Sequence, residues 1–185
     1  MKVKVGKHLV HPIFGVCEIL EVFNDDLNGE EVEFVSMKSI TENMEHILPY
    51  ARLEEYGLRP VVKKADLEEL YKLMKKAKAD IKLTGAKSFK VNTERSKTGL
   101  PEDMIISLSS LSIRHSTDAL IPTERQLLMH LRKKFIHELS ISLKTDLNTA
   151  EKKFNLALIE VIPKEAKIAY EEALTHIALK NNVKN

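Results

Sequence analysis

Hydrophobic residues over positions 1–60 recur at every second position or in short runs that turn residues separate. This spacing predicts short β-strands, because successive side chains of a strand point to opposite faces of the sheet. Val5 to Leu20 is interpreted as two strands joined by a tight corner at residues 11–15, H-P-I-F-G. Proline fixes φ and lacks the backbone N–H, and glycine permits positive φ, so both suit this corner. The corner is expected to act as a scaffold.

Further strands are predicted in the remainder of this region. Residues 24–29, N-D-D-L-N-G, form a turn cluster that ends in an Asn-Gly pair, which hairpins favour. The hydrophobic residues within 32–37 change phase midway, which predicts a bulge or a strand that changes face. Met44–Pro49 is interpreted as another short strand. Four or five such strands predict a small, strongly bent sheet or barrel, because a lone hairpin would not be stable.

From Lys63 onwards the hydrophobic spacing becomes helical. Asp66 with Glu69 is typical of a capping pair at the start of the first helix. The predicted helices lie at about residues 66–77, at 85–97, from Pro101, from Pro122 to about Lys144, from about Asn148 to Ile162, and at about 163–182. The predicted fold class is α+β, with a β-domain over residues 1–60 and an all-helical domain over 61–185.

Charge is unevenly distributed along the chain, although the formal net charge is only +2. Residues 1–60 carry a net charge of −5, and residues 61–100 carry a net charge of +6. This asymmetry favours different partners for the two segments. The alternative is that their solvated surfaces simply differ in sign.

The basic segment between Lys72 and Lys97 is a candidate nucleic-acid interface. From Lys87 onwards no clear apolar stripe explains the segment as an ordinary amphipathic helix. Its cations could neutralise phosphates, and the predicted DNA-binding residues are Lys87, Lys90, Arg95 and Lys97. A lysine-rich helix surface without a ligand is the alternative. The chain contains no tryptophan, and Phe89 is the one aromatic residue of this segment.

Residue patterns typical of catalysis are weak. No phosphate-binding glycine loop, Rossmann fingerprint or nucleophile-elbow motif occurs. Cys17 is the single cysteine, and a lone cysteine within a strand is more often a small buried hydrophobe than a nucleophile. His130 and His137 lie seven residues apart and have no metal-binding motif around them. The chain is therefore predicted not to be an enzyme, and to use no metal, cofactor or small-molecule substrate.

Composition bounds the cellular location. Hydrophobic residues make up 43% of the chain and charged residues 30%, which is ordinary for a globular protein. A single cysteine rules out an internal disulfide and fits a reducing compartment. No window approaches the roughly 18 apolar residues that a membrane helix needs. A cytoplasmic protein without a membrane partner is predicted.

These motifs, in this order, resemble the CarD/CdnL family. The opening stretch V-G-K-H-L-V-H-P-I-F-G-V-C-E-I-L is similar to the family's V-G-x-x-V-V-Y-P-x-H-G-x-x-x-I. The other matching positions are Asn28, Gly29, Val32–Val35, Pro49, Gly57, Leu58, Arg59, Leu120, Glu124, Leu128, Arg132, Glu138 and Leu139. The resemblance covers about residues 3–162, and the predicted helix at about 163–182 is extra.

The resemblance implies a bacterial transcription regulator. Its β-domain would be a Tudor-like barrel, similar to the polymerase-interacting domain of transcription-repair coupling factors, that docks on the RNA polymerase β subunit. Its helical domain would contact double-stranded promoter DNA at the upstream edge of the melted region and stabilise the open complex. Docking in this family uses an edge strand, which here comprises Met44, Glu45, His46, Ile47, Leu48 and Pro49.

Three positions depart from the family pattern. An arginine common in the docking strand is absent from Ile47-Leu48-Pro49, and Asp25 and Asp26 replace a basic residue near the hairpin turn. The tryptophan that wedges into DNA aligns with Gly85. A second hypothesis is therefore a protein–protein adaptor of the same fold that has little or no DNA binding.

Overall fold

The computed structural model describes residues 2–75, 82–162, 164 and 167–168. Five strands precede five α-helices in the described part of the chain. The strands are β1 His8–His11, β2 Gly15–Leu27, β3 Glu30–Ser39, β4 Met44–Pro49 and β5 Arg59–Pro60. The helices are α1 Leu67–Leu73, α2 Gly85–Thr98, α3 Pro101–Ser116, α4 Pro122–Leu143 and α5 Leu147–Ile159. The predicted α+β class is confirmed, and the predicted helix at about 163–182 lies outside the described residues apart from 164 and 167–168.

The five strands form one antiparallel sheet in the order β4-β3-β2-β1-β5. Within the described residues β4 pairs only with β3, and β5 pairs only with β1. The sheet is therefore open between β4 and β5, and the closed Tudor-like barrel remains a prediction.

The hairpin between β2 and β3 differs from the prediction in its turn. The turn is confined to Asn28 and Gly29, which both have positive φ (60° and 89°), whereas residues 24–27 continue strand β2. A two-residue loop of this type matches the twist of the flanking strands and needs no further turn residues. The register shift lies between Ile19 and Glu21 of β2, whereas β3 shows the predicted alternative, in which its hydrophobic residues change face between Phe34 and Val35.

Proline and aspartate set the starts of the longer helices. Pro101 and Pro122 are the first residues of α3 and α4, where proline loses no hydrogen bond. Asp146 caps α5 and accepts a hydrogen bond from the Thr149 backbone N–H at 2.9 Å. The predicted capping pair at Asp66 is wrong, because Asp66 closes a 3₁₀ turn before α1 and its side chain makes no capping bond.

Two hydrophobic clusters support the fold. Seven buried residues of the sheet and its loops form the first: Leu9, Cys17, Ile19, Val35, Met37, Leu53 and Leu58. Helices α1, α3, α4 and α5 contribute to the second cluster. Its centre includes Leu108, Leu131, Phe135 and Phe154. None of the described helices combines the length and hydropathy that crossing a lipid bilayer requires.

The strand corner at residues 11–15 packs against the helical part of the molecule. The Pro12 ring lies against the backbones of Gly57 and Gly99, and a Cβ on either glycine would approach Pro12 Cγ to 2.9 or 2.8 Å. Lys134 of α4 donates a hydrogen bond from Nζ to the Pro12 carbonyl oxygen at 2.7 Å. The corner, expected to be a scaffold, thus also joins the sheet to α4.

A second connection between sheet and helices is the ion pair of Arg59 and Glu138. Arg59 Nη2 donates to Glu138 Oε2 at 2.9 Å, and the Val62 backbone N–H donates to Glu138 Oε1 at 3.0 Å. The Glu138 side chain is 1% exposed and that of Arg59 is 14% exposed. Two positions that match the family motifs in separate parts of the sequence therefore meet at this junction.

Candidate interaction surfaces

Strand β4 presents one hydrogen-bonding edge that no other described strand occupies. Two of its hydrophobic side chains are exposed, with Met44 at 55% and Ile47 at 59%. Folded proteins usually protect such an edge with charges, prolines or a covering loop. Here Glu45 is the one acidic residue, the strand has no Lys or Arg, and Pro49 ends it. The β4 edge is therefore able to accept an additional strand.

The six residues predicted to bind polymerase do not all face outwards. Met44, Glu45 and Ile47 are exposed, whereas His46, Leu48 and Pro49 are partly buried. The His46 ring stacks on Phe14, with ring centroids 3.7 Å apart, and Leu48 packs against the sheet core. The structure thus leaves Met44, Glu45 and Ile47 as the side chains most available for contact.

Three of the four predicted DNA-binding side chains share one side of α2. Lys87, Lys90 and Lys97 are exposed, and their spacing of three and seven residues keeps them within one stripe. Glu94 is also exposed and falls between them on the same stripe, where it reduces the local positive charge. Arg95 is half-buried and lies on another side of the helix, so α2 separates it from the lysines.

Helix α2 is held by a buried polar network rather than by an apolar stripe. Ser88 and Asn92 are its buried residues, and Arg114 of α3 donates a hydrogen bond from Nη1 to Ser88 Oγ at 2.6 Å. Arg114 also forms a two-point ion pair with Glu124 of α4, with 2% and 0% of the side chains exposed. This network fixes the orientation of the lysine stripe.

The Glu124 carboxylate completes the network at the start of α4. Its Oε2 accepts the backbone N–H of Ile121 at 3.1 Å, which is otherwise unpaired at a helix N-terminus. Burial raises the pKa of Glu124, but hydrogen bonds from Arg114, Ser88 and Ile121 together with the charge of Arg114 outweigh burial and hold the pKa below its usual value. Glu124 therefore remains ionised at neutral pH.

Gly85, at the position where the resemblance implies a tryptophan, begins α2 in a left-handed conformation with φ of +56°. A Cβ added there would meet no atom within 4 Å. Position 85 therefore has space for a side chain, but its positive φ disfavours residues other than glycine.

Two buried basic groups lie where the corner meets α4. Burial, together with the charges of His46 and Lys134, lowers the pKa of His11 to about 4. His11 is thus neutral at pH 7, and its Nδ1 accepts the backbone N–H groups of Ile13 and Phe14 at 3.0 and 3.3 Å. Burial likewise lowers the pKa of Lys134 to about 8.

The candidate nucleophile is in an unreactive environment. Cys17 is fully buried, and burial raises the pKa of its thiol to about 12, so the thiolate is not populated at neutral pH. No group of three or more His, Cys, Asp or Glu side chains among the described residues has a metal-binding arrangement.

The sequence did not indicate the role of Arg114, which links α2, α3 and α4. One signal was present: Arg114 directly follows a run of serines and hydrophobic residues over 104–113 that contains no charged residue. An arginine at a position of that kind is buried only when it is paired. Its partner was visible as Glu124 of the family motif, although no role followed from the motif.

The chain matches no protein-family model. It is similar to the Bacillus subtilis (strain 168) protein named "Putative transcription factor YdeB", with 21% identity over 138 residues. The matched region makes up 75% of this chain and 90% of that protein. Because 138 residues exceed the length of either predicted domain, the similarity includes residues of both the sheet and the helices.

Proposed function

We propose that this chain is a non-enzymatic, cytoplasmic transcription regulator of the CarD/CdnL type. In this proposal strand β4 binds the RNA polymerase β subunit, α2 contacts promoter DNA, and the two contacts together modulate the stability of the open complex. The observation that carries the proposal is the β4 edge, which no described strand occupies, with its exposed Met44 and Ile47. The similarity to a protein named a transcription factor and the motif order support the same role.

Docking by strand addition follows from the chemistry of the β4 edge. A partner strand would satisfy the free backbone N–H and C=O groups of β4, and side-chain pockets would supply specificity. Ile47 is central in β4, lies opposite Ser36 of β3 and is exposed, so a docked strand would cover it. Closing the sheet into a Tudor-like barrel by pairing β4 with β5 would occupy this edge, so docking by strand addition requires the sheet to be open there.

Replacing Ile47 by lysine is expected to weaken binding to polymerase β at least about tenfold, because docking would bury the new charge without a partner. Ile13→Lys is a matched control, since Ile13 has the same 59% exposure and lies at the strand corner. Biolayer interferometry of the full-length variants against immobilised core polymerase measures both effects. Equal binding by Ile47→Lys and the parent chain would contradict docking through β4.

DNA contact through α2 would be electrostatic. Lys87, Lys90 and Lys97 form one stripe on a helix that the Arg114 network fixes in orientation. Contacts of lysine to phosphates position a protein on the duplex but carry no sequence information. With glycine at position 85, we therefore propose binding that stabilises an existing polymerase–promoter complex rather than recognition of promoter sequence.

The double variant Lys87→Ala with Lys90→Ala is expected to reduce the salt dependence of DNA binding. Each lost phosphate contact lowers the slope of log K against log salt by about 0.9, so the slope should fall by about 1.8. Lys152→Ala with Lys153→Ala removes the same charge from two exposed positions of α5 and should leave the slope nearly unchanged. Fluorescence anisotropy with a labelled promoter duplex at several salt concentrations distinguishes the two variants. Absence of DNA binding at low salt, with and without polymerase, would contradict this part of the proposal.

An adaptor that binds two proteins and little DNA is the second candidate. Two observations favour it: Gly85 provides no wedge, and Glu94 interrupts the lysine stripe of α2. The polymerase measurement above would then succeed while the DNA titration fails.

A further inference from the structure

Strands β2 and β3 extend beyond the rest of the sheet as a two-stranded ribbon. Strand β1 pairs with β2 only as far as Glu18, and β4 pairs with β3 only as far as Phe34. Residues 24–33 therefore pair only with each other within the described part of the chain. We call residues 21–34 the hairpin arm.

The outer face of the hairpin arm is apolar and continues onto β4. Val35 and Met37 are fully buried in the core. Because successive side chains of a strand point to opposite faces, their neighbours Phe34 and Ser36 point outwards. The same alternation and register assign six side chains to the outer face: Leu27, Val32, Phe23, Phe34, Pro49 and Ile47. The rings of Phe23 and Phe34 stack with centroids 5.9 Å apart, while 47% of Leu27 and 59% of Ile47 are exposed.

The arm is also strongly acidic. It contains six Asp and Glu residues and no Lys or Arg. Where the structure describes ion pairs, none involves these six carboxylates. Their hydrogen bonds are local, such as Asn24 Nδ2 to Glu31 Oε1 at 2.9 Å and Gly29 N to Asp26 Oδ1 at 3.0 Å. The negative charge is therefore not compensated within the described chain.

Register brings like charges together on the arm. Asp26 lies directly opposite Glu31, and like charges in such cross-strand pairs are destabilising. Asp25 and Glu30 lie on the outer face, beside the exposed apolar side chains. Asp26 and Glu31 lie on the opposite face, so a ligand on the outer face would instead neutralise Asp25 and Glu30, and the methylene stems of its Lys and Arg side chains would cover the apolar surface.

We propose that the outer face of the hairpin arm, together with β4, binds an extended basic segment of a partner protein, in which Lys or Arg alternates with aliphatic or aromatic residues. An extended segment paired with the β4 edge places every second side chain, here Lys or Arg, on the side of the sheet that carries Asp25, Glu30 and the apolar groups. The inference rests partly on the proposed function, because β4 belongs to both surfaces.

The first test uses the full-length, ¹⁵N-labelled protein and a synthetic probe, the capped heptapeptide Arg-Tyr-Lys-Val-Lys-Tyr-Arg. Titration should shift the amide resonances of residues 21–34 and 44–48, and the affinity should fall as salt rises. A control peptide with glutamate at each basic position should cause no shifts. Shifts that are absent, or that fall mainly on acidic residues outside these two ranges, would overturn the proposal.

The second test removes charge from the arm without changing side-chain shape. Asp25→Asn with Glu30→Gln is expected to weaken binding of the basic peptide about three- to tenfold, as losing two exposed ion pairs would. Glu102→Gln with Glu160→Gln makes the same change in net charge at exposed positions outside the arm, and should alter affinity less than about twofold. Equal effects of the two variants would overturn the proposal. Because the probe contains no polymerase, failure here is distinguishable from failure of polymerase docking.

Discussion

Replacing Glu124 by alanine is expected to lower the free energy of unfolding by about 3–5 kcal/mol. The substitution leaves Arg114 charged and 2% exposed, without the carboxylate that compensates it. Removing one partner of a buried ion pair costs about this much, because the remaining charge is desolvated and unpaired. It also leaves the Ile121 N–H without its acceptor. Urea denaturation followed by circular dichroism measures the change.

A double-mutant cycle separates the interaction energy of Arg114 with Glu124 from the effect of each substitution alone. Arg114→Met with Glu124→Met should cost less than the sum of the two single substitutions, because neither variant group is a buried charge. Arg132→Met is the matched control, since Arg132 pairs with Glu151 across α4 and α5 at a more exposed site, with 21% and 33% of the side chains accessible. That substitution should cost about 1 kcal/mol. If Glu124→Ala lowered the free energy of unfolding by less than about 1 kcal/mol, the expected cost of leaving Arg114 unpaired would be wrong.

Replacing Lys134 by methionine is expected to stabilise the protein by about 2 kcal/mol at pH 7. Lys134 is 4% exposed, and among the described residues it forms no ion pair. Burial lowers its pKa from 10.5 to about 8, so keeping the ammonium charged in the folded state costs about 3 kcal/mol. Methionine removes that cost and loses the hydrogen bond to the Pro12 carbonyl, which contributes about 1 kcal/mol.

The stabilisation by Lys134→Met should depend on pH. Since the folded-state pKa lies below the unfolded-state pKa, the penalty is complete below pH 8 and disappears as the pH rises from about 8 to 10.5. The stabilisation by methionine should therefore vanish near pH 10. Comparing each variant with the parent at the same pH cancels the titration of other groups, such as Cys17. Lys133→Met, at a 48% exposed neighbour, should change stability by less than about 0.5 kcal/mol at either pH.

Local patterns predicted the elements better than they predicted how the elements pair. Pro101 and Pro122 fixed two helix starts, because proline is favoured at the first helical position and excluded from the interior. Residues 24–27 were predicted to be part of a turn, but they continue β2. A strand that is exposed on both faces has no hydrophobic alternation to distinguish it from a loop. The tight Asn28-Gly29 turn determines their pairing instead.

The candidate site was predictable only in part for a related reason. The exposed Ile47 and the α2 lysines follow from their positions in a short strand and a helix with little apolar surface. The buried pair of Arg114 and Glu124 depends on the packing of α3 against α4. In a chain with 29 basic and 27 acidic residues, sequence alone does not single out that pair.

The Pro12 ring packs against Gly57 and Gly99, which makes these three positions, distant in sequence, depend on one another. A side chain at Gly57 or Gly99 would collide with the ring, and both glycines also have positive φ, at 73° and 74°. Removing the ring would relieve the collision but not the backbone strain. A change at any one of these positions therefore alters which changes the other two tolerate. In mutational terms, residues 12, 57 and 99 behave as one unit that spans the sheet, its connection to α1 and the turn before α3.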